Sequence, residues 1–215
     1  KIETELVFDQ ILRFNNATIL NPSGKGAFKT PLYAAATSWE YISIYAKVDW
    51  PLSLVFNSIV QHKYQFLFRT ILMWRRLDKN FAKLWKQCHG IREIEKMRHS
   101  IQLFITAYIG FISTFVVIPQ WTRFMNSIPT MKNIDQLFRM HDEALDASIK
   151  GFFLMDSQLL KRMTTIACIC IQFIEDTKKW SKSIDSDVID IQQKIQMASP
   201  LFKLYETFEK AVRTL

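Results

Sequence analysis

The stretch IQLFITAYIGFISTFVVIPQW, Ile101 to Trp121, decides how the rest of the chain is read. Its eighteen residues ahead of Pro119 carry no formal charge, and Lys96, Arg98 and His99 stand just upstream. Eighteen uncharged residues reach the lower edge of a membrane-spanning length, and flanking cations fit the orientation rule for such spans. The helical wheel favours another reading. Gln102, Thr106, Gly110 and Ser113 recur at spacings of four, four and three, giving one narrow polar or small-residue stripe. Leu103, Phe104, Tyr108, Phe111, Ile112, Phe115 and Val116 cover the remaining surface. A helix of that kind is expected to be nearly surrounded, the axis of a bundle in a soluble domain, and to end at Pro119. A stripe of small polar residues also suits helix packing in membranes, so the neighbouring segments decide the matter.

Those neighbours read as amphipathic helices with charged faces. Upstream, Ser58 with Gln61 three residues on forms a capping-box start, and Val60, Tyr64, Leu67, Ile71, Trp74, Leu77, Phe81, Leu84 and Cys88 recur every three or four residues. This predicts a helix of about thirty residues, roughly 45 Å long, capped at its C-terminus by Gly90. Downstream, Asn133 with Gln136 repeats the capping signature before Ile134, Leu137, Phe138, His141, Leu145, Ile149 and Phe152. Asp156 or Ser157 opens a further helix, and KKWSKSIDSD, residues 178–187, reads as a polar break. The final segment runs from Ile184 through Val188, Ile195 and Phe202 to Val212, with a restart expected at Ser199-Pro200, because proline is accepted in a first turn but not in a helix interior.

The first quarter of the chain differs. Residues 3–14 fit a short amphipathic helix, and residues 15–38 form a loop whose turn formers cluster in NPSGKGAFKTP. EYISIYAKV, residues 40–48, alternates as a strand and needs a partner, which residues 30–38 would supply in a small hairpin. The fold class is therefore mainly all-α, an elongated bundle of long helices with one small β-hairpin, in a single domain over residues 1–215.

Composition agrees. Apolar residues make up 49% of the 215 and charged residues 22%, with seventeen Phe but only five Gly and six Pro, the profile of a helix-rich domain with aromatic layers. Cys88, Cys168 and Cys170 form no CxxC pair, which fits a reducing, intracellular setting with buried thiols. The first thirty residues show no secretory signal pattern.

Catalytic and metal-binding motifs are missing from the sequence. None of His62, His89, His99 and His141 has a ligand partner three or four residues away on the same helical face. Asp142, Glu143 and Asp146 read as a solvated face in which Asp146 and Lys150 have the favourable i to i+4 order. SGKG departs from the phosphate-loop pattern, and no GxSxG, HExxH or dinucleotide fingerprint occurs. No enzyme activity, cofactor or metal is expected.

The net charge of +8 and the pI near 9.4 favour an acidic partner. Arg69, Arg76, Lys79, Lys83 and Lys86 follow one another by seven, three, four and three, which places them on one face of the long helix as a positive rail. A solvated helix face is the commoner explanation of such a rail; an acidic protein and a nucleic acid both fit it as well, although no RNP motif or zinc finger supports the second.

VDWPLSLVFNSIVQHKYQFLFRTILMWRRLDKNFAKLW, Val48 to Trp85, resembles the gamma-tubulin complex protein family: a Y-x-V-x-WPLSL entry, a tyrosine-led helix and a cationic pair before an aromatic close. MRHSIQLFITAYIGFISTFVVIPQW is similar to that family's RH-M-x-x-F helix before P-x-W, and NIDQLFRMHDEALDASIKGFFLMDSQLLK to its D-x-x-x-x-x-H-x-x-x-L helix and the leucine-rich one after it. The resemblance covers residues 37–176. WPLSL with KYQFLFR looks most like the subunits that form one arm of the gamma-tubulin small complex, spindle pole body components in fungi. Ala144 stands where the family usually has an aromatic, the helix before Pro119 lacks N-x-x-x-YY, and the usual closing arginine-leucine-aspartate stretch is missing after Leu215. The expected reading is thus a partial or diverged C-terminal domain.

The resemblance implies a non-enzymatic scaffold, since the family's C-terminal helical domain binds gamma-tubulin and gamma-tubulin itself supplies the GTP site. It also implies other complex subunits packed side by side through a half not contained here, and a cytoplasmic, cytoskeletal location at a microtubule-organising centre, centrosome or spindle pole body. Gamma-tubulin is acidic, so the rail would face it, with no membrane or nucleic acid partner expected. A basic helical nucleic-acid-binding module is the alternative.

Overall fold

Asn57 starts the first long helix: its side-chain oxygen accepts the Val60 N–H at 3.0 Å, so the N-cap falls one residue before the expected Ser58. Gln61 turns its amide back to the Phe56 carbonyl at 3.3 Å. Helix α1 then spans Ser58–Lys83 and, after a break at Leu84, a single turn α2 spans Trp85–Cys88. This computed structural model describes residues 46–88, 91–184 and 191–215, which belong to one unit running from Ile42 to Leu215. The short helix of residues 3–14, the loop 15–38, the cap at Gly90 and most of the hairpin lie outside the described residues. Residues 46–48 of the expected strand carry no regular secondary structure, and among the described residues every regular element is helical.

The uncharged stretch forms α3, Arg92–Phe111, but it does not end at Pro119. A π turn over Ile112–Val117 leads directly into α4, Ile118–Ser127, and a 3-10 turn follows over Ile128–Thr130. The Ile118 N–H donates to the Ser113 carbonyl, five residues back. That extra residue in the turn shifts the preceding carbonyls away from the Pro119 ring, and proline needs no acceptor for a missing N–H, so the helix passes through it.

Two of the remaining helices start as the sequence predicts. Asn133 caps α5, Ile134–Gly151, by accepting the Gln136 N–H at 2.9 Å, and Asp156 caps α6, Ser157–Ser183, by accepting from Gln158 and Leu159. Helix α6 outruns the expected break at Lys178. Thr177 and Trp180 are buried, and the Trp180 indole N–H donates to the Lys194 carbonyl at 3.0 Å, which ties that last turn to α7, Ile191–Met197. Helix α8, Ser199–Arg213, restarts with Pro200 in its first turn.

Helices α1 and α6 occupy the middle of this unit. Helix α1 packs against α3, α5 and α6, and α6 against α1, α2 and α8. Phe81 stacks on Phe173 at 5.9 Å, both fully buried, and Trp74 meets Tyr108 edge-on at 4.8 Å. Each such ring withdrawn from water contributes about 1.5–3 kcal/mol. The expectation that the uncharged helix is the axis is therefore corrected: α3 rests on α1 with one face and meets α8 through Ser100 and Phe104, while Leu103 is 61% exposed and Phe115, in the π turn, 71%.

Helix α5 packs on α1, and α4 packs on α5. Gly151 approaches the π turn so closely that a Cβ there would lie 2.4 Å from a Val116 methyl. The chain then turns through Phe153, whose φ of 61° is left-handed without being glycine. The Leu154 N–H returns to the Ile149 carbonyl at 3.3 Å in a Schellman-like closure, and the Phe153 ring stacks on Phe111 at 5.9 Å.

Candidate protein-docking face

The five rail cations share the outer side of α1 and its one-turn extension. Arg69, Lys79 and Lys83 are exposed on α1, Arg76 is half-buried there, and Lys86 is exposed on α2 beyond the break. Arg75 is exposed too and was not picked out in the sequence, where the spacing of seven, three, four and three passes over it. Its i to i+4 relation to Lys79 places the two about 40° apart around the axis, which was the available signal. Asp78 faces the other way and accepts from the Thr106 hydroxyl of α3 at 3.1 Å, so it does not neutralise the rail's outer edge.

That hydrogen bond seats α3 on the side of α1 turned away from the rail. Across it, α3 presents Leu103, Thr106, Ala107, Gly110 and Phe111 to solvent, and the π turn and α4 continue the same side with Phe115, Ile118, Trp121 and Met125. No charged side chain occurs between His99 and Arg123. Arg92–Thr130 is long and apolar enough to cross a membrane by length and composition alone, and 33% of its most apolar window is buried in this structure. Of the narrow stripe read from the wheel, Thr106 meets α1 by donating to Asp78, Gln102 accepts from Arg98 and Ser113 donates to the Ile109 carbonyl within their own helical run, and Gly110 lies open.

The acidic cluster of α5 is not simply a solvated face. Lys63, 4% exposed on the inner side of α1, donates to Asp142 at 2.7 Å and pairs with Asp146 at 2.5 Å. Lys63 falls in phase with Val60, Phe66 and Leu67, and a charge on an apolar face was the signal that sequence reasoning missed. Next to it the Tyr64 hydroxyl and His141 Nε2 are 2.7 Å apart, among the rings of Phe56 and Phe124. Burial holds the His141 imidazole below its ordinary pKa and pushes the Tyr64 phenol above its own, so both stay neutral near pH 7. This network joins α1 to α5.

Burial also decides the thiols. It raises the Cys88 pKa to about 11 and pushes Cys170 and Cys168 upward as well, so none is a ready thiolate. His62 and His99 are exposed on separate helices, His89 lies outside the described residues, and no group of three metal-ligating side chains gathers among the described residues.

Comparison with known proteins gives one family. The model described as "Gamma tubulin complex component C-terminal" matches residues 5–215. Similar proteins include gamma-tubulin complex component 2 of Arabidopsis thaliana, 27% identical over 69% of this chain and 24% of its own length. The gamma-tubulin complex component 2 homolog of Drosophila melanogaster is 29% identical over 60% of this chain and 16% of its own length. Spindle pole body component alp4 of Schizosaccharomyces pombe is 25% identical over 76% of this chain and 23% of its own length. The chain thus spans about a quarter or less of the relatives it matches.

Proposed function

This chain belongs to the gamma-tubulin complex component family, matching its C-terminal part, and from that premise we propose that it is a non-enzymatic scaffold that binds gamma-tubulin. The observation that carries the reading is the match of nearly the whole chain, residues 5–215, to that family model. Residues 1–215 act in this reading as one helical gamma-tubulin-binding domain, working at a microtubule-organising centre or spindle pole body beside other complex subunits. Its contribution is geometric: long packed helices hold the partner in a fixed orientation, and an array of copies turns weak contacts into a template for microtubule growth.

The rail of Arg69, Arg76, Lys79, Lys83 and Lys86 suits an acidic partner, speeding encounter and fixing register more than supplying affinity. Purified gamma-tubulin should bind the intact subunit in a salt-sensitive manner, and reversal of Lys79 and Lys83 to Glu should slow association. Absence of binding at low salt by a folded subunit overturns the proposal. Competition by DNA or RNA with a steep salt slope would favour the nucleic-acid-binding alternative instead.

A further inference from the structure

Leu72 stands on the side of α1 that the core does not use. It comes two residues before the fully buried Trp74, about 200° round the helix axis, and falls within the stripe of Arg69, Arg76, Lys79 and Lys83. Amphipathic packing against α3, α5 and α6 asks for no leucine there. Its surface neighbours three and four residues away are Phe68, Arg69, Arg75 and Arg76. Met73, 37% exposed, lies beside it and between the same Arg69 and Arg76, four residues after the one and three before the other. The outer face of α1 is therefore more than a row of cations: it is a half-buried leucine and an exposed methionine set inside a ring of positive groups.

That ring has no acid of its own. Asp78 is the only acidic residue between Asp49 and Glu93, and it turns away to accept from Thr106 of α3. The remaining cation of α1, Lys63, is on the inner side with Asp142 and Asp146. No carboxylate of α1 thus dilutes the outer face. Exposed cations speed encounter and fix register, but contribute little affinity once salt screens them. A stable contact adds an apolar centre inside a polar rim. Leu72 and Met73 provide the centre, and Arg69, Arg75 and Lys79 the rim.

We infer that this face of α1 seats one acidic amphipathic segment of the partner, with an apolar side chain resting on Leu72 and Met73 and carboxylates on either side of it meeting the arginines. The inference rests on the proposed gamma-tubulin reading and gives that contact its chemistry. Charge selects this occupant over a second copy of the chain, which would bring a net +8 against a cationic face. The apolar pair selects it over a nucleic acid, whose phosphates engage the cations without any need of Leu72 or Met73.

Met73 gives a test that spares the fold. Met73→Gln and Met73→Glu put good helix formers at an exposed position, and the added carboxylate falls three residues before Arg76, so neither variant should melt lower. With the intact subunit and purified gamma-tubulin, Met73→Glu should weaken binding at least tenfold, and the neutral changes Met73→Gln and Leu72→Gln about fivefold each. Met73→Leu should change it less than about twofold, and Arg75→Gln should slow association about threefold and flatten its salt dependence. Weaker binding by the neutral variants with unchanged melting supports the inference. If the unaltered subunit binds gamma-tubulin and both Met73 variants bind equally well, this face is not the contact, and the functional proposal still stands. If Met73→Glu weakens binding and the two neutral variants do not, charge alone carries the contact, and the inference is overturned. Self-association in sedimentation velocity that Met73→Glu abolishes, with gamma-tubulin binding intact, assigns the face to a second copy and overturns it as well. If the unaltered subunit does not bind gamma-tubulin, the functional proposal fails and takes this inference with it.

Discussion

Two parts of this molecule carry long runs without charge, and they end in opposite places. Met163 to Ile174 on α6 is twelve residues between Arg162 and Glu175, and of these only Thr165 is exposed. Ser100 to Thr122 on α3, the π turn and α4 is nearly twice as long, yet it leaves aromatic and aliphatic side chains in water. The difference lies in the neighbours. Helix α6 has α1 and α2 on one side and α8 on the other, so every turn of its run meets another apolar surface. Helix α3 has α1 along one face and meets α8 through Ser100 and Phe104, which leaves its Leu103 side open among the described residues. A missing charge shows that a helix is free to be buried; burial itself requires a second surface.

The comparison breaks most visibly if one ring is removed from each run. Phe173→Ala, in a fully buried ring stacked on Phe81, should cost about 3–5 kcal/mol in denaturant unfolding, whereas Phe115→Ala should stay within about 0.5 kcal/mol. Equal losses would mean that Phe115 is buried in solution and that α3 has a covered outer face. Next in size is the polar join between α1 and α5. Replacing Asp142 and Asp146 together by Ala strands the buried Lys63 ammonium and should destabilise by about 3 kcal/mol, and adding Lys63→Met should recover most of it.

Glycine sharpens the contrast within the uncharged helix and its support. Gly151→Ala pushes a methyl group into Val116 and should cost about 1–3 kcal/mol, relieved by pairing it with Val116→Ala. Gly110→Ala, the same change on the open side, should stabilise by about 0.5–1 kcal/mol. Matching signs in thermal melts would show that the two glycines do not face different environments. The smallest effect is a slope with pH. Because burial lowers the His141 pKa in the folded state, the unfolded chain takes up its proton first as pH falls below about 6.5. Stability from this group is complete above that pH and is lost on acidification toward the folded pKa. The melting temperature should therefore drop between pH 7.5 and 5.5, and His141→Gln should flatten that part of the curve.

Much of the helical pattern was legible because it is written in contacts three and four residues apart. The caps at Asn133 and Asp156, the restart at Pro200 and the shared face of the α1 cations all depend on local geometry. The helix boundaries that moved did so for tertiary reasons or through an uncommon turn. Trp180 carries α6 past a lysine pair because its indole has a partner on α7, and the π turn takes the helix through Pro119 where the period alone suggested a stop. Neither cause leaves a trace in hydrophobic spacing.

By itself, the sequence determined a mainly helical chain, the family it resembles, a cationic outer face on α1 and a long helix without charge. The tertiary structure decided which side of that helix is open, that Lys63 finds two carboxylates some eighty residues away in sequence, and that Gly151 touches a neighbour while Gly110 does not. The physical reason is the reach of the forces involved. Helix period and capping are settled within a few residues, whereas exposure is a property of whatever distant segment comes to lie alongside, and one helix wheel is compatible with a covered or an open face.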